Sequence, residues 1–218
     1  MAEGTPGRPA RRGARTRAAL IRAAGAFIAS GDVNASILEI TRAADVGVGS
    51  FYNHFESKER LYRTVIEDAL DAYGELLDGL TTDLDDPAHV FTQGFRLAGR
   101  LHRCRPELGK VLLSNGLSLV GADGGIAHRA LRDIEAAERA GRFTVRDPEL
   151  SLVIVAGAEL CLGRMLHDHP EWDDARTTDR VAEDLLRMFG LPADEAHEIC
   201  RRPLPDLEAA VDGLGVVA

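Results

Sequence analysis

Apolar residues recur at helical spacing along almost the whole chain, and this periodicity most constrains the fold. The first long run repeats at i, i+3, i+4, i+7 and i+8, through Leu20, Ala23, Ala24, Phe27 and Ile28. Similar runs occupy residues 61–80, 90–101, 106–120, 126–141, 148–168, 175–189 and 192–202. Glycine and proline separate them, and no segment alternates as a strand would. The sequence therefore predicts an all-α protein.

Short segments with sharp turn signals lie between residues 31 and 61. Gly31 ends the first helix, and Ser36-Ile-Leu-Glu39 has the form of a capping box that starts a second. Asp45 tolerates the left-handed conformation of a tight turn after that helix. A third helix is predicted from about Val48 to His54, and a fourth begins at Ser57. Three short helices joined by tight turns predict a helix-turn-helix domain.

The third predicted helix has two different sides. Its apolar residues fall within a sector of about 60° on a helical wheel: Val48, Phe51 and Phe55, with Tyr52 at the edge. The other side carries Gly49, Ser50 and Asn53. We interpret the apolar side as the one that packs on the first two helices, and the small, polar side as suited to base edges. Gly47 and Gly49 would let a sugar-phosphate chain approach the helix start closely.

Charge is distributed unevenly along a chain whose net charge is -9. Residues 1–60 hold nine Lys/Arg against six Asp/Glu, whereas residues 61–218 hold 17 against 29. The first 24 residues contain Glu3 and six arginines: Arg8, Arg11, Arg12, Arg15, Arg17 and Arg22. Residues 1–13 are predicted to form a flexible basic arm. Arg12 and Arg15 are candidates for contacts with DNA phosphates or a minor groove, and a solvated tail is the alternative.

Several classes of protein fit the sequence poorly. Three cysteines lie far apart without a CxxC motif, which favours a reducing cytoplasm. The most apolar run, residues 152–163, is too short for a membrane span and contains Glu159. No enzyme motif is present, so neither catalysis nor a cofactor is expected. His167 and His169 stand two apart and point in different directions on a helix, which disfavours a metal site.

Residues 17–65 resemble the DNA-binding domain of TetR-type transcriptional regulators. The shared signature lies in residues 36–61: an alanine-rich turn, glycine and serine, the run Tyr52-Asn-His54-Phe55, and a Ser57-Lys-Glu59 helix start. The resemblance implies phosphate contacts by Ser36, Tyr52, His54 and Lys58. It assigns base reading to the start and exposed face of the third helix, here Gly47, Val48, Ser50 and Asn53.

Two positions depart from the family pattern. Gly47 stands where Ser or Thr is common, so a side-chain contact with phosphate is missing. Val48 stands where a polar or basic residue is frequent, although it can touch a thymine methyl group. Ser50 and Asn53 are then the polar candidates for direct readout. The basic arm or DNA shape would supply the remaining specificity.

The rest of the chain is compatible with the family's helical ligand-binding and dimerisation domain. We divide the sequence into an arm (1–13), a helix-turn-helix domain (14–60), the helical domain (61–202) and a tail (203–218). Residues 150–166 are apolar nearly all round, and the following helix has an apolar face formed by Val181, Leu185, Met188 and Phe189. The resemblance implies that these two helices pair with a second copy as a four-helix bundle. A core helix without a partner is the alternative.

Polar residues inside apolar segments are the candidates for a ligand site: Gln93, His102, Asn115, Ser118 and Glu159, with Ser114 and Cys161. Glu159 is the costliest to bury, and it can meet a cationic ligand or an arginine such as Arg164 or Arg100. The predicted function is a homodimeric repressor that binds a palindromic double-stranded DNA operator and is released by a small-molecule effector. An activator, a ligand-independent DNA-binding protein and, more remotely, an all-α enzyme are the alternatives.

Overall fold

The computed structural model describes residues 8–32, 34–106, 108–110, 112–113 and 125–212. These residues contain helices but no strand, which confirms the predicted all-α fold. The helices are α1 (Arg8–Ala29), α2 (Ile37–Ala43), α3 (Val48–Tyr52), α4 (Lys58–Thr81), α5 (Pro87–Cys104), α6 (Gly125–Arg139), α7 (Pro148–Asp168), α8 (Asp174–Met188), α9 (Ala193–Cys200) and α10 (Leu207–Asp212). The predicted segment 106–120 lies largely outside the described residues. Described residues up to Ala69 form one compact unit, and those from Leu70 onward form a second.

In the first unit, α1, α2 and α3 pack against one another around a small apolar core. Leu20, Ile40, Phe51 and Leu61 are fully buried there. α1 begins at Arg8, so residues 8–13 of the predicted flexible arm are helical. Arginine and alanine are strong helix formers, and a proline in the first turn is tolerated, which explains this earlier start.

The turn between α2 and α3 follows the local signals of the sequence. The Ser36 hydroxyl accepts a hydrogen bond from the Glu39 amide at 3.3 Å, and the Glu39 carboxylate accepts one from the Ser36 amide at 2.8 Å. Asp45 has φ 53°, the left-handed conformation predicted for it. α3 is shorter than predicted because it ends at Tyr52, and the amides of His54 and Phe55 both donate to the Phe51 carbonyl.

The second unit is built around α5, which packs against α6, α7, α8 and α9. Its core includes three aromatic rings, Phe91, Phe143 and Phe189, whose centroids lie 4.7–5.6 Å apart. The predicted tail is partly ordered into α10, where Leu207 and Val211 are buried in one cluster with Tyr73, Leu97 and Leu101. Burial of these apolar side chains explains why the chain continues as a helix beyond residue 203.

α7 is apolar on two sides, and only one of them packs inside its own unit. Leu152, Val155, Leu162 and Leu166 are buried in the core. The outer side exposes Leu150, Val153, Ile154 and Met165, which are 40–63% accessible; we call these four residues the α7 stripe. α7 is long and apolar enough to cross a membrane by length and composition alone. Its packing against α5, α6 and α8 makes it a core helix of this unit.

Most of the α8 residues that were predicted to meet a second copy of the chain pack inside their own unit instead, so the prediction is wrong for them. Leu185 and Phe189 are buried in the core of their own unit, and Val181 packs against that core. Met188 alone among the four is exposed, at 47% accessible. Helical periodicity reveals an apolar face, but it does not tell whether the face meets its own core or a second chain.

A buried arginine ties α5 to α8 and to the segment after α9. Arg96, with a side chain 6% accessible, donates to both carboxylate oxygens of Asp179 at 2.8 and 3.1 Å. Arg96 also donates to the Arg202 carbonyl at 2.8 Å, and Arg100 donates to Asp179 at 2.7 Å. One carboxylate thus pairs with two guanidinium groups inside the second unit.

Candidate nucleic-acid interface and ligand site

The packed side of α3 holds the helix through two phenylalanine rings. Phe51 is fully buried and Phe55 is 4% accessible, and the Arg17 guanidinium lies 5.4 Å from the centroid of the Phe55 ring. Val48 does not belong to this side as the helical wheel predicted, because it is 40% exposed. It is the first residue of α3, so no earlier turn of the same helix precedes it. Its methyl groups are therefore available to an apolar contact such as a thymine methyl group.

The outward side of α3 is small and accessible. Tyr52 is 60% exposed, Asn53 is also exposed and Ser50 is half-buried. A Cβ atom added at Gly47 or Gly49 would meet nothing within 4 Å. Nothing in the described part of the chain therefore requires glycine at these positions. We infer that a flat surface for an external partner is what two glycines provide here.

Replacing Gly49 by alanine tests that inference. Because Gly49 lies inside α3 with open space around it, alanine should raise the free energy of unfolding by up to about 1 kcal/mol. DNA affinity should fall nonetheless, because the added methyl group stands on the side proposed to face DNA. Thermal denaturation and fluorescence anisotropy with a duplex would measure the two effects. An increase in stability with unchanged DNA affinity would show that this surface does not approach DNA.

The predicted phosphate-contacting residues have different surroundings. The Ser36 hydroxyl lies 2.6 Å from a Glu39 carboxylate oxygen, so its proton is used inside the capping box. The hydroxyl and amide of Ser36 accordingly hold the pKa of Glu39 below its usual value. The Lys58 ammonium lies 5.5 Å from the centroid of the Tyr62 ring. Lys58 and the exposed Tyr52 hydroxyl are thus better placed than Ser36 to donate to a phosphate.

His54 and the basic end of α1 lie in the same part of the first unit. A Cβ atom at Gly13 would stand 3.7 Å from the His54 ring. Arg12 and Arg15, which flank Gly13 in sequence, are exposed on α1. The two arginines therefore belong to a helix that passes His54, and they place positive charge near this histidine.

In the second unit the structure brings together two of the predicted ligand residues. Nε2 of His102 on α5 lies 3.4 Å from a carboxylate oxygen of Glu159 on α7. Gln93 is not part of this site, because its amide donates to the Leu80 carbonyl at 2.7 Å. Asn115 and Ser118 lie outside the described residues, as does Ser114. Cys161 is exposed on the outer side of α7.

No arginine neutralises Glu159 among the described residues. Arg164 pairs with Asp168 at 2.8 Å, and Arg100 pairs with Asp179 at 2.7 Å. The Glu159 side chain is 13% accessible, and its contact with His102 lacks hydrogen-bond alignment. The interpretation of Glu159 as one member of a local arginine pair is therefore wrong.

Two more polar side chains belong to the same region: His167, which lies next to His102, and Tyr73 of α4, which shares a buried cluster with Leu97 and Leu101 of α5. We call the four together the polar cluster: Tyr73, His102, Glu159 and His167. The rings of His102 and His167 are perpendicular, with centroids 5.6 Å apart. Burial, and next the charge of Glu159, raise the pKa of Tyr73 well above its usual value. Burial, followed by the positive charges of His102, Lys110 and Arg103, lowers the pKa of His167. Sequence reasoning missed Tyr73 as a site residue, since it sits within an apolar stripe of α4.

His167 and His169 point apart, as their spacing predicted. His169 stacks on Trp172 with ring centroids 4.7 Å apart and lies 3.2 Å from Glu171, whereas Nε2 of His167 is buried. Within the described ranges, no three His, Cys, Asp or Glu side chains are grouped so as to hold a metal ion.

Comparisons with known proteins identify the family. Residues 20–65 match the description "Bacterial regulatory proteins, tetR family", and residues 86–202 match "Tetracyclin repressor-like, C-terminal domain". The chain belongs to the TetR family of bacterial regulatory proteins. This membership confirms the resemblance inferred from residues 17–65, and it makes the first unit the helix-turn-helix DNA-binding domain of a transcriptional regulator.

Individual relatives and solved structures differ in how much of the chain they match. The protein RolR, solved in complex with the ligand resorcinol, is 34% identical with a TM-score of 0.70, and the match covers 91% of this chain and 99% of RolR. The transcriptional repressor KstR2 of Mycolicibacterium smegmatis is 32% identical over 107 residues, or 47% of this chain. That match spans 50% of the length of KstR2. A gamma-butyrolactone receptor, 19% identical over 91% of this chain and 99% of its own, has a TM-score of 0.54 and shares the fold.

Proposed function

We propose that this protein is a ligand-responsive repressor that binds a palindromic operator as a homodimer. The observation that carries the proposal is the α2–turn–α3 unit, in which a buried phenylalanine pair fixes a short helix whose outward side is flat and accessible. Base reading falls to Val48, Ser50 and Asn53. Tyr52, His54 and Lys58 contact phosphates, with Arg12 and Arg15 of α1 adding charge. Such a regulator acts in the cytoplasm, where the DNA lies.

A second copy of the chain is proposed to cover the α7 stripe. Large apolar side chains that stay exposed along one side of a helix typically mark a protein interface. Met188 of α8 adds an exposed apolar side chain near the end of the neighbouring helix. A two-fold symmetric dimer places two recognition helices on one duplex, and this symmetry requires an operator with inverted repeats.

α4 is the proposed connection between ligand and DNA. Its first half contributes Leu61 and Val65 to the core of the first unit, and its second half contributes Tyr73 to a core cluster of the second. Asp78 near its end is held by Arg129 and Arg132 of α6 at 2.8 and 2.7 Å. A ligand that moves the second half of α4 alters the separation of the two recognition helices. Coupling of this kind usually changes affinity by about 5–150-fold.

The relatives support an effector that is a small organic molecule. RolR was solved with resorcinol, a benzene ring that carries two hydroxyl groups, and it is similar over nearly its whole length. KstR2 is described as a repressor. Together they favour repression relieved by a small ligand over activation or ligand-independent binding.

Selection of binding sites from a random duplex pool with the purified protein tests the proposed function. Enrichment of one palindromic sequence, bound far more tightly than random DNA, is the expected result. Enrichment of a sequence without inverted symmetry would contradict the dimeric arrangement, and no enrichment would contradict sequence-specific regulation altogether.

Two substitutions separate positioning from base reading on the selected site. Lys58→Ala should weaken binding to all duplexes alike and reduce the slope of log affinity against log salt by about one unit. Asn53→Ala should cost about 1–3 kcal/mol on the selected sequence and little on random DNA. Titrations of both duplexes at several salt concentrations measure these differences. An unchanged sequence preference in Asn53→Ala would remove Asn53 from the reading face.

A further inference from the structure

The polar cluster contains buried atoms that the fold leaves without hydrogen bonds. They are the Tyr73 hydroxyl, both ring nitrogens of His102, both carboxylate oxygens of Glu159 and Nε2 of His167, each lacking a partner among the described residues. Tyr73 and His102 are both 1% accessible. Buried polar atoms in folded proteins are nearly always paired, because an unpaired one costs folding free energy. Several such atoms in one region of the second unit need an explanation other than stability.

Close packing of glycine backbone fixes the position of the His102 ring. A Cβ atom at Gly163 on α7 would overlap the ring itself. A Cβ atom at Gly109 would stand 2.8 Å from Nδ1 of His102 and 3.1 Å from Nε2 of His167. Both glycines therefore leave room for imidazole rings at closest approach. The His102 ring is thus closely packed although its nitrogens form no hydrogen bond among the described residues, as expected of a group preorganised to bind a ligand.

We propose that Tyr73, His102 and Glu159 bind the hydroxyl-bearing end of an uncharged effector and that the Glu159 carboxylate excludes anionic ligands. This inference rests on the proposed function, since it assigns the chemistry of the effector. A neutral hydroxyl group donates its proton to a carboxylate oxygen of Glu159 and accepts a hydrogen bond from Tyr73 or His102. His167 borders the same site and offers a further ring nitrogen.

The charge of Glu159 selects against anionic ligands. A carboxylate ligand would meet Glu159, whose charge has no arginine partner among the described residues. An uncharged ligand with one or more hydroxyl groups satisfies the unpaired atoms without that repulsion.

Titration calorimetry with a matched pair of probes tests the inference on the full-length protein. Resorcinol is the neutral probe, and 3-hydroxybenzoate is its counterpart in which a carboxylate replaces one hydroxyl group. The wild-type protein should bind resorcinol and discriminate against 3-hydroxybenzoate. Tyr73→Phe and Glu159→Gln should each weaken resorcinol binding about tenfold or more. Glu159→Gln should also narrow the difference between the probes, because the repelling charge is gone.

Melting temperatures distinguish a ligand site from a structural cluster. Tyr73→Phe removes a hydroxyl group, and Glu159→Gln replaces one carboxylate oxygen by an amide nitrogen. The atoms changed form no hydrogen bond in the described structure, so neither substitution should lower the melting temperature. Glu149→Gln, the same change at an exposed position of α7, is the control and should alter neither binding nor melting. A lower melting temperature with unchanged resorcinol affinity would assign these atoms to internal structure. That outcome would overturn the inference. So would a protein that binds neither probe, and so would one that prefers 3-hydroxybenzoate.

DNA binding by the same preparations keeps this test separate from that of the proposed function. Specific operator binding by a protein that does not bind resorcinol would reject the effector chemistry and leave the regulator intact. Resorcinol binding by a protein that selects no DNA sequence would support the site and reject the proposed function.

Discussion

Replacing Val153 by aspartate is expected to abolish tight operator binding while leaving each chain folded. Val153 lies on the α7 stripe and is 57% exposed, so the core of its own unit does not need its apolar side chain. In the proposed dimer an aspartate there would be buried in the interface without a partner of opposite charge. Loss of the second half-site should reduce operator affinity by about 100-fold or more. Sedimentation equilibrium and operator titration would measure the two effects.

The matched control places the same aspartate away from the proposed interface. Ala140→Asp changes a small exposed residue just after α6, and it should leave both the molar mass and the operator affinity unchanged. Two results would count against the α7 stripe as the dimer interface. One is a Val153→Asp protein that remains dimeric, and the other is a monomer that still binds the whole operator tightly.

Local signals in the sequence predicted the first unit well. The capping box at Ser36, the left-handed Asp45 and the start of α4 depend on neighbours within four residues. The structure has the first two as predicted, and α4 begins at Lys58, one residue after the predicted Ser57, whose hydroxyl accepts from the Arg60 amide. Val48 was misplaced because a helical wheel ignores where the helix begins. At the first turn of α3 there is no preceding turn to cover the side that the wheel assigns to the core.

Interactions between distant segments could not be predicted in the same way. His102 and Glu159 were candidates only as polar residues in apolar helices, and their 3.4 Å approach joins positions 57 residues apart. Tyr73 gave no signal, because a tyrosine in an apolar stripe usually serves the core alone. The apolar face of α8 illustrates the same limit, since Leu185 and Phe189 meet their own core rather than a second chain.

The Asp179 carboxylate is a further feature that only the fold reveals, and its removal should be the most damaging change to stability. Asp179→Ala leaves the guanidinium groups of Arg96 and Arg100, 6% and 16% accessible, without their shared carboxylate. Breaking a buried ion pair by removing one partner costs about 3–5 kcal/mol. For a chain of this size that corresponds to a melting temperature lower by roughly 6–20 °C. Thermal and urea denaturation would measure the loss.

Asp184→Ala on the same helix is the matched control for this prediction. Its side chain is 79% accessible and lies 3.7 Å from Arg187, and exposed pairs of this kind contribute little, about 0–1 kcal/mol. The prediction would be contradicted if Asp179→Ala lowered the free energy of unfolding no more than this control does. The Arg202 carbonyl and water admitted at the site would then have to accept the hydrogen bonds of Arg96. A large loss would show that this ion pair contributes much of the free energy that holds α5 to α8. Because α5 also carries His102, the same ion pair would then hold one wall of the proposed effector site in place.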